Sequence, residues 1–137
     1  MTKLLIDNNI VIDLLAQTEA FYQSAARVFS MGDKGKLDLY VSSLTFANTN
    51  YILSRQKSNA EVREILRRFK ILVKVMPLTD KIIDLALNDR YFRDFEDGIQ
   101  YYTAIENNLD IIITRDLPGF KESKIPVMSA DGFLSSI

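Results

Sequence analysis

Apolar residues fall along this chain in two alternating rhythms. Short continuous apolar runs occur at Lys3–Ile6, Leu39–Ser42, Val73–Met76 and Asp110–Thr114, with a shorter one near Val127. Each is too short for a buried helix and rich in branched residues, so each reads as a strand covered on both faces. Between them the period changes to that of a helix. Asn9 to about Ala16 predicts a short helix, Glu19–Met31 a longer amphipathic one, and Thr45–Ser54 a third that starts near the Ser42 and Ser43 hydroxyls. Asn59–Leu72, capped by Ser58, is strongly amphipathic, and further helices are expected over Asp80–Asn88 and Glu96–Asn107. The turn at Gly32–Lys36, the stop at Pro77, the loop holding Pro118 and Gly119, and a terminal helical turn complete the pattern. No internal repeat or low-complexity linker interrupts it, so residues 1–137 are expected to form one domain. The fold class is α/β, three layers α/β/α around a central, mostly parallel sheet of four to five strands.

That architecture gives the acidic residues a direction. In open parallel sheets the ligand site lies beyond the carboxyl ends of the strands. Asp7 follows the first strand directly, and Asp116 follows the "IIIT" strand by two positions, so both are expected at the same sheet edge. Asp97 opens the helix "FEDGIQYYTAIENN", with Asp94 and Glu96 beside it; Ser43 and Asn48 lie near the start of the helix after the second strand. Each acid has an ordinary explanation alone: Asp7 as a helix cap, Asp97 as a dipole-complementing helix starter, Asp116 as a turn residue. Asp13 reads as a solvated or locally paired residue, and Asn9 as an amide holding a turn. Together the acids read differently. A like-charged pair near contact costs about 4 kcal/mol at an effective dielectric of about 20, so a cluster takes up protons or binds a cation.

Composition sharpens the choice of cation. The chain has no histidine and no cysteine, which excludes catalytic triads, His general bases, thiolate nucleophiles and His- or Cys-ligated zinc. An all-oxygen site selects Mg²⁺ or Mn²⁺, whose chemistry on a carboxylate platform is phosphoryl transfer or hydrolysis. The net charge of −1 predicts no bulk affinity for nucleic acid. Local basic character is confined to Arg55–Lys74, where Arg63, Arg67 and Lys70 share a helical face, and to Arg115 beside Asp116. Such cations could track a phosphate backbone, or simply solvate a helix exterior. Phe92, Phe95, Tyr101 and Tyr102 cluster near the third acid, as base-stacking groups or as core and dimer packing. No signal-peptide pattern and no membrane-length apolar run are present, and the lack of cysteine fits a cytoplasmic setting.

The ordered set "LLIDNN…VSSLTFAN…DFEDGIQYYTAIENNLDIIITRD" resembles the PIN domain family over nearly the whole chain. The resemblance implies a metal-dependent endoribonuclease acting on single-stranded RNA, as in the toxins of VapBC-like toxin–antitoxin pairs. It implies Asp7, Asp97 and Asp116 as catalytic metal ligands, aided by Asp94, with Thr114 and Asn48 assisting. Asn9, Arg115, Arg63 and Arg67 are the candidate substrate contacts. It also implies a homodimer and an antitoxin protein partner. One departure stands out: the family's glutamate after the second strand is replaced by Asn48, which weakens divalent-ion affinity and opens an alternative, a catalytically weak PIN-like module that binds RNA or a protein partner. A phosphatase of the haloacid dehalogenase type also begins strand-Asp-x-Asp, but here Asn9 replaces the second aspartate. An EF-hand loop is excluded by Ile12 and Thr18, which stand where that loop needs glycine and glutamate.

Overall fold

Parallel strands need crossovers, and every crossover in this chain but the last, which carries only a 3-10 turn, contains an α-helix. The computed structural model describes residues 1–137. Its elements run β1 (Lys3–Ile6), α1 (Asn8–Leu15), α2 (Tyr22–Asp33), β2 (Asp38–Ser42), α3 (Ser43–Leu53), α4 (Asn59–Leu72), β3 (Lys74–Met76), α5 (Asp80–Asn88), α6 (Phe95–Glu106), β4 (Ile111–Ile113), a single 3-10 turn (Pro118–Phe120), β5 (Val127–Met128) and α7 (Ala130–Ser136). The five strands form one sheet, wholly parallel, in the order β3-β2-β1-β4-β5.

The strand pleat sends alternate side chains to opposite faces. Leu4, Ile6, Leu39, Val41 and Ile113 enter one core with Ile10 and Val11 of α1, Val28 and Phe29 of α2, Phe69 of α4 and Phe133 of α7. Leu5, Tyr40 and Ile112 enter the other with Phe92, Tyr101, Ala104 and Phe120. A smaller cluster of Ile82, Ala86 and Ile99 joins α5 to α6. Helices therefore cover both faces, which gives the expected three layers. Phe92 and Tyr101 stack at 4.7 Å inside the second core, whereas Phe95 is exposed.

The chain starts at the central strand, builds β2 and β3 to one side, then crosses to place β4 on the other. β1 and β4 thus flank the point where strand order reverses, and the register Ile6↔Ile113 aligns their ends. That point is where an open parallel sheet leaves a crevice at its carboxyl edge. The expected helices over Asn59–Leu72 and Asp80–Asn88 match residue for residue, the former closed by a reciprocal Ser58–Glu61 capping box. One helix starts late. The segment from Glu19 is a turn in which Ala20 takes φ 75°, and α2 begins only at Tyr22. No helix is long and apolar enough to cross a membrane.

Candidate active site

Asp7 terminates β1, its amide still bonded to the Ile113 carbonyl at 2.9 Å. Its carboxylate caps α1, with Oδ1 accepting from the Asn8 amide at 2.8 Å. Capping accounts for only one oxygen. Oδ2 accepts from Thr114 Oγ1 at 2.8 Å and from Asn9 Nδ2 at 3.4 Å. Both functions, cap and site, therefore fall on one residue. Asp7 is only 6% exposed; burial raises its pKa, partly offset by the Thr114 and Asn8 hydrogen bonds, and the neighbouring Asp116 and Asp94 push the same way as burial.

Thr114 ties the two central strand ends together. Its hydroxyl receives Asn9 Nδ2 at 3.2 Å and the Asp116 amide at 3.0 Å while donating to Asp7. Asp116 is exposed on the loop beyond β4, and its Oδ1 accepts from the Gly119 amide at 3.2 Å. From the other side, Asp94 caps α6 through the Asp97 amide at 3.1 Å, which points the first turn of that helix at the crevice. Asp97 is strongly perturbed as well: burial, then Asp94, Asp7, Asp116 and Glu96, push its carboxyl up to about 7. Asn48 of α3 donates Nδ2 to Glu96 Oε1 at 3.0 Å.

Most of these residues line a cleft of about 530 Å³, with Asp7, Asn9, Asn48, Asp94, Glu96, Asp97, Gln100 and Arg115 on its walls, Tyr51 of α3 and Arg55 just past the end of that helix beside them, and Asp116 outside the lining. A larger cavity of about 710 Å³ lies over α5 and α6; its acids, Asp84, Asp89 and Glu122, are accompanied by Arg90 and Lys124, and Asp89 already accepts from the Tyr102 hydroxyl, so the smaller cleft is the stronger candidate. Gly119 marks the closest approach. A Cβ there would collide with Asp116 Oδ2 and lie 2.7 Å from Asp97 Oδ2. The two carboxylates thus share one small volume that only glycine leaves free.

The donor set fits a hard divalent ion in its chemistry. Every candidate ligand is an oxygen, the acids repel one another, and buried Gln100 keeps Oε1 without a hydrogen-bond donor beside them. A hydrated cation would offer positive charge among the acids, since the Arg115 guanidinium is engaged with Asp13, and a donor for the Gln100 oxygen. No three carboxylates are drawn up as a ligand set.

The remaining candidates divide. Arg115 lines the cleft, but its guanidinium is engaged with Asp13. Asp13 is neither solvated nor locally paired: it is 1% exposed and bonded across 102 residues of sequence. Arg63 and Arg67 lie on exposed positions of α4, Arg67 pairing with Glu64 at 3.0 Å, and neither lines the cleft. The sequence reading does not single out Tyr51 or Gln100 and names Arg55 only as the start of the basic stretch; Tyr51 and Arg55 line the cleft together with Gln100. Tyr51 was detectable as a cleft residue, because Asn48, Tyr51 and Ile52 recur at helical spacing on the face that carries Asn48, with Arg55 one turn on, just past the helix end.

The sequence and the fold both have relatives among known proteins. The ribonuclease VapC1 of Aquifex aeolicus (strain VF5) is 24% identical over 134 residues, covering 96% of this chain and 92% of its own. VapBC2 from Rickettsia felis, bound to a DNA fragment from its promoter, shares the fold with a TM-score of 0.70 at 15% identity, over 93% of this chain and 98% of that one. VapC20 of Mycobacterium tuberculosis, a sarcin-ricin loop cleaving toxin, does so with a TM-score of 0.62 at 14% identity, over 80% and 86%. The family profile described as PIN domain matches residues 3–118, the span that carries every acid of the cleft, and this chain belongs to the PIN domain family.

Proposed function

We propose that this protein is a divalent-metal-dependent endoribonuclease that hydrolyses phosphodiester bonds of single-stranded RNA, acting as the toxin of a toxin–antitoxin pair. The convergence of Asp7, Asp97 and Asp116 on the crevice between β1 and β4 is the observation that carries this reading. The ribonuclease name of the Aquifex relative and the antitoxin complexes among the fold neighbours support it.

Asp7, Asp97 and Asp116 would hold Mg²⁺ or Mn²⁺, with Asp94 close by. When bound, the ion supplies positive charge to the scissile phosphate and a lowered pKa to a coordinated water. Thr114 and Asn9 fix the rotamer of Asp7, so that its oxygens are set before substrate arrives. Asn48 orients Glu96, and the charge missing from position 48 relative to the family pattern is present on Glu96 instead. Arg115 receives a backbone phosphate oxygen. Tyr51, 66% exposed and carrying Arg55 4.9 Å above its ring, gives an unpaired base a stacking surface.

Cleavage of a labelled single-stranded oligoribonucleotide in Mn²⁺, compared with EDTA and with Asp116→Asn, tests the proposal. Metal-stimulated cleavage that the substitution abolishes supports it. RNA binding without cleavage would instead favour the weaker reading, a PIN module that binds RNA or a protein partner, which Asn48 suggests.

A further inference from the structure

Asp13 sits on the buried face of α1, one turn from Ile10, where an apolar side chain would pack more cheaply than a charge. Both of its oxygens are taken by Arg115, Oδ2 by Nε at 2.8 Å and Oδ1 by Nη2 at 3.1 Å. The Arg115 guanidinium also lies over the Phe21 ring, 4.1 Å from its centroid. The Arg115 backbone is held as well, its amide donating to Asn9 Oδ1 at 3.1 Å. The planar fork is therefore fixed at both ends and across one face. Of its five N–H donors, Asp13 accepts two. Those left over belong to a side chain that is 37% exposed and lines the acidic cleft.

We infer that Asp13 is a positioning residue: with Phe21 it sets the Arg115 guanidinium at the mouth of the acidic cleft to receive a phosphate of the RNA strand. The inference rests on the nuclease reading above. A free arginine beside this many carboxylates would fold down onto them and occupy the metal position. Holding it by a separate, buried carboxylate keeps a cation at the rim while Asp7, Asp97 and Asp116 stay open. The pre-set fork also matches a phosphate bidentately, which a mobile lysine does not. The loop through Ala20, which delayed the start of α2, is what carries Phe21 to the ring contact.

The test is steady-state cleavage of a fluorescein-labelled, mixed-sequence single-stranded oligoribonucleotide in Mn²⁺, with Mn²⁺ affinity followed by calorimetry. Asp13→Asn is expected to raise KM about tenfold with kcat within about twofold, the pattern of a lost binding contact rather than a lost catalytic one. Phe21→Ala, at a partly exposed position, breaks no buried ion pair; it is expected to raise KM about threefold and covers the case in which Asp13→Asn fails to fold. Asp13→Asn should also weaken Mn²⁺ binding, because the freed guanidinium then competes for the acids, whereas Phe21→Ala, which keeps the Asp13–Arg115 pair, should leave it unchanged. In an Arg115→Gln background, Asp13→Asn should add nothing further to KM. A wild-type protein that does not cleave RNA overturns both this inference and the nuclease reading. Wild-type cleavage with an unchanged KM in both variants overturns the inference alone. So does a KM effect of Asp13→Asn that persists undiminished without Arg115, since that would mark a merely structural role.

Discussion

Gly119→Ala should separate metal binding from folding with a single methyl group. The backbone at Gly119 does not lie in the left-handed region, so alanine is conformationally tolerated and removes freedom from the unfolded chain, stabilising by about 0.4–1 kcal/mol. The new Cβ would stand 2.7 Å from Asp97 Oδ2 and closer still to Asp116 Oδ2. Carbon–oxygen contacts sit at about 3.3–3.6 Å, so Asp97 must withdraw by about 0.6–0.9 Å and Asp116 by more. Ligand positions in a metal site hold to about ±0.2 Å. The retreat is several times that tolerance, which places the loss at about 10–100-fold in Mn²⁺ affinity, the range for disturbing the groups that orient a ligand. Calorimetric titration with Mn²⁺ and a thermal melt in EDTA, run on the same preparation, provide the assay. The expected pair of results is a weaker metal and a melting temperature equal to or above wild type. Undiminished Mn²⁺ affinity would refute the argument, because Asp97 and Asp116 could not then be sharing an ion across Gly119.

Further outcomes follow from the same geometry. Asp7→Asn should abolish Mn²⁺-stimulated cleavage while the far-ultraviolet circular dichroism stays native; retained cleavage would remove Asp7 from the ligand set. Asp97, pushed up to about 7, binds its proton more tightly folded than unfolded, so between about pH 4 and 7 the native state holds more protons and metal-free stability should fall as pH rises. Apparent Mn²⁺ affinity should climb over the upper part of that range as the competing proton leaves. Asp97→Asn should flatten the stability trend in melts recorded in EDTA, and a trend rising with pH in the wild type would contradict the assignment. Glu96→Gln should weaken Mn²⁺ about tenfold, the effect typical of a group supporting a metal site; an unchanged titration would show that the charge missing at position 48 is not replaced there. Arg63→Gln combined with Arg67→Gln should leave KM for a short oligonucleotide unaltered, since α4 does not border the cleft; an increase would extend the substrate path to that helix.

The sheet was legible because each strand is a short branched run with a clear stop, and the place of Asp7 and Asp116 at its edge was legible because one directly follows such a run and the other lies two positions beyond. Asp97 emerged from helix polarity. Three features were hidden for physical reasons. The late start of α2 depends on Ala20 adopting a left-handed turn, which its identity does not announce. Asp13 occupies an apolar position in the helical period, a sign that it needs a partner, but nothing local shows that the partner is a cation 102 residues further on. The Asn48–Glu96 contact joins two helices whose relative placement is set by packing rather than by either segment alone.

The parallel join of β1 to β4 has a kinetic meaning. Its partners, Ile6 and Ile113, are separated by most of the chain, and a contact so distant forms only after a large loss of chain freedom. During synthesis, Asp7 leaves the ribosome early, but the wall supplied by Thr114 and Asp116 arrives only after about a hundred more residues. A chain caught partway therefore lacks one wall of the acidic crevice, and if the proposed function holds, it would be harmless to the RNA-built machine still making it.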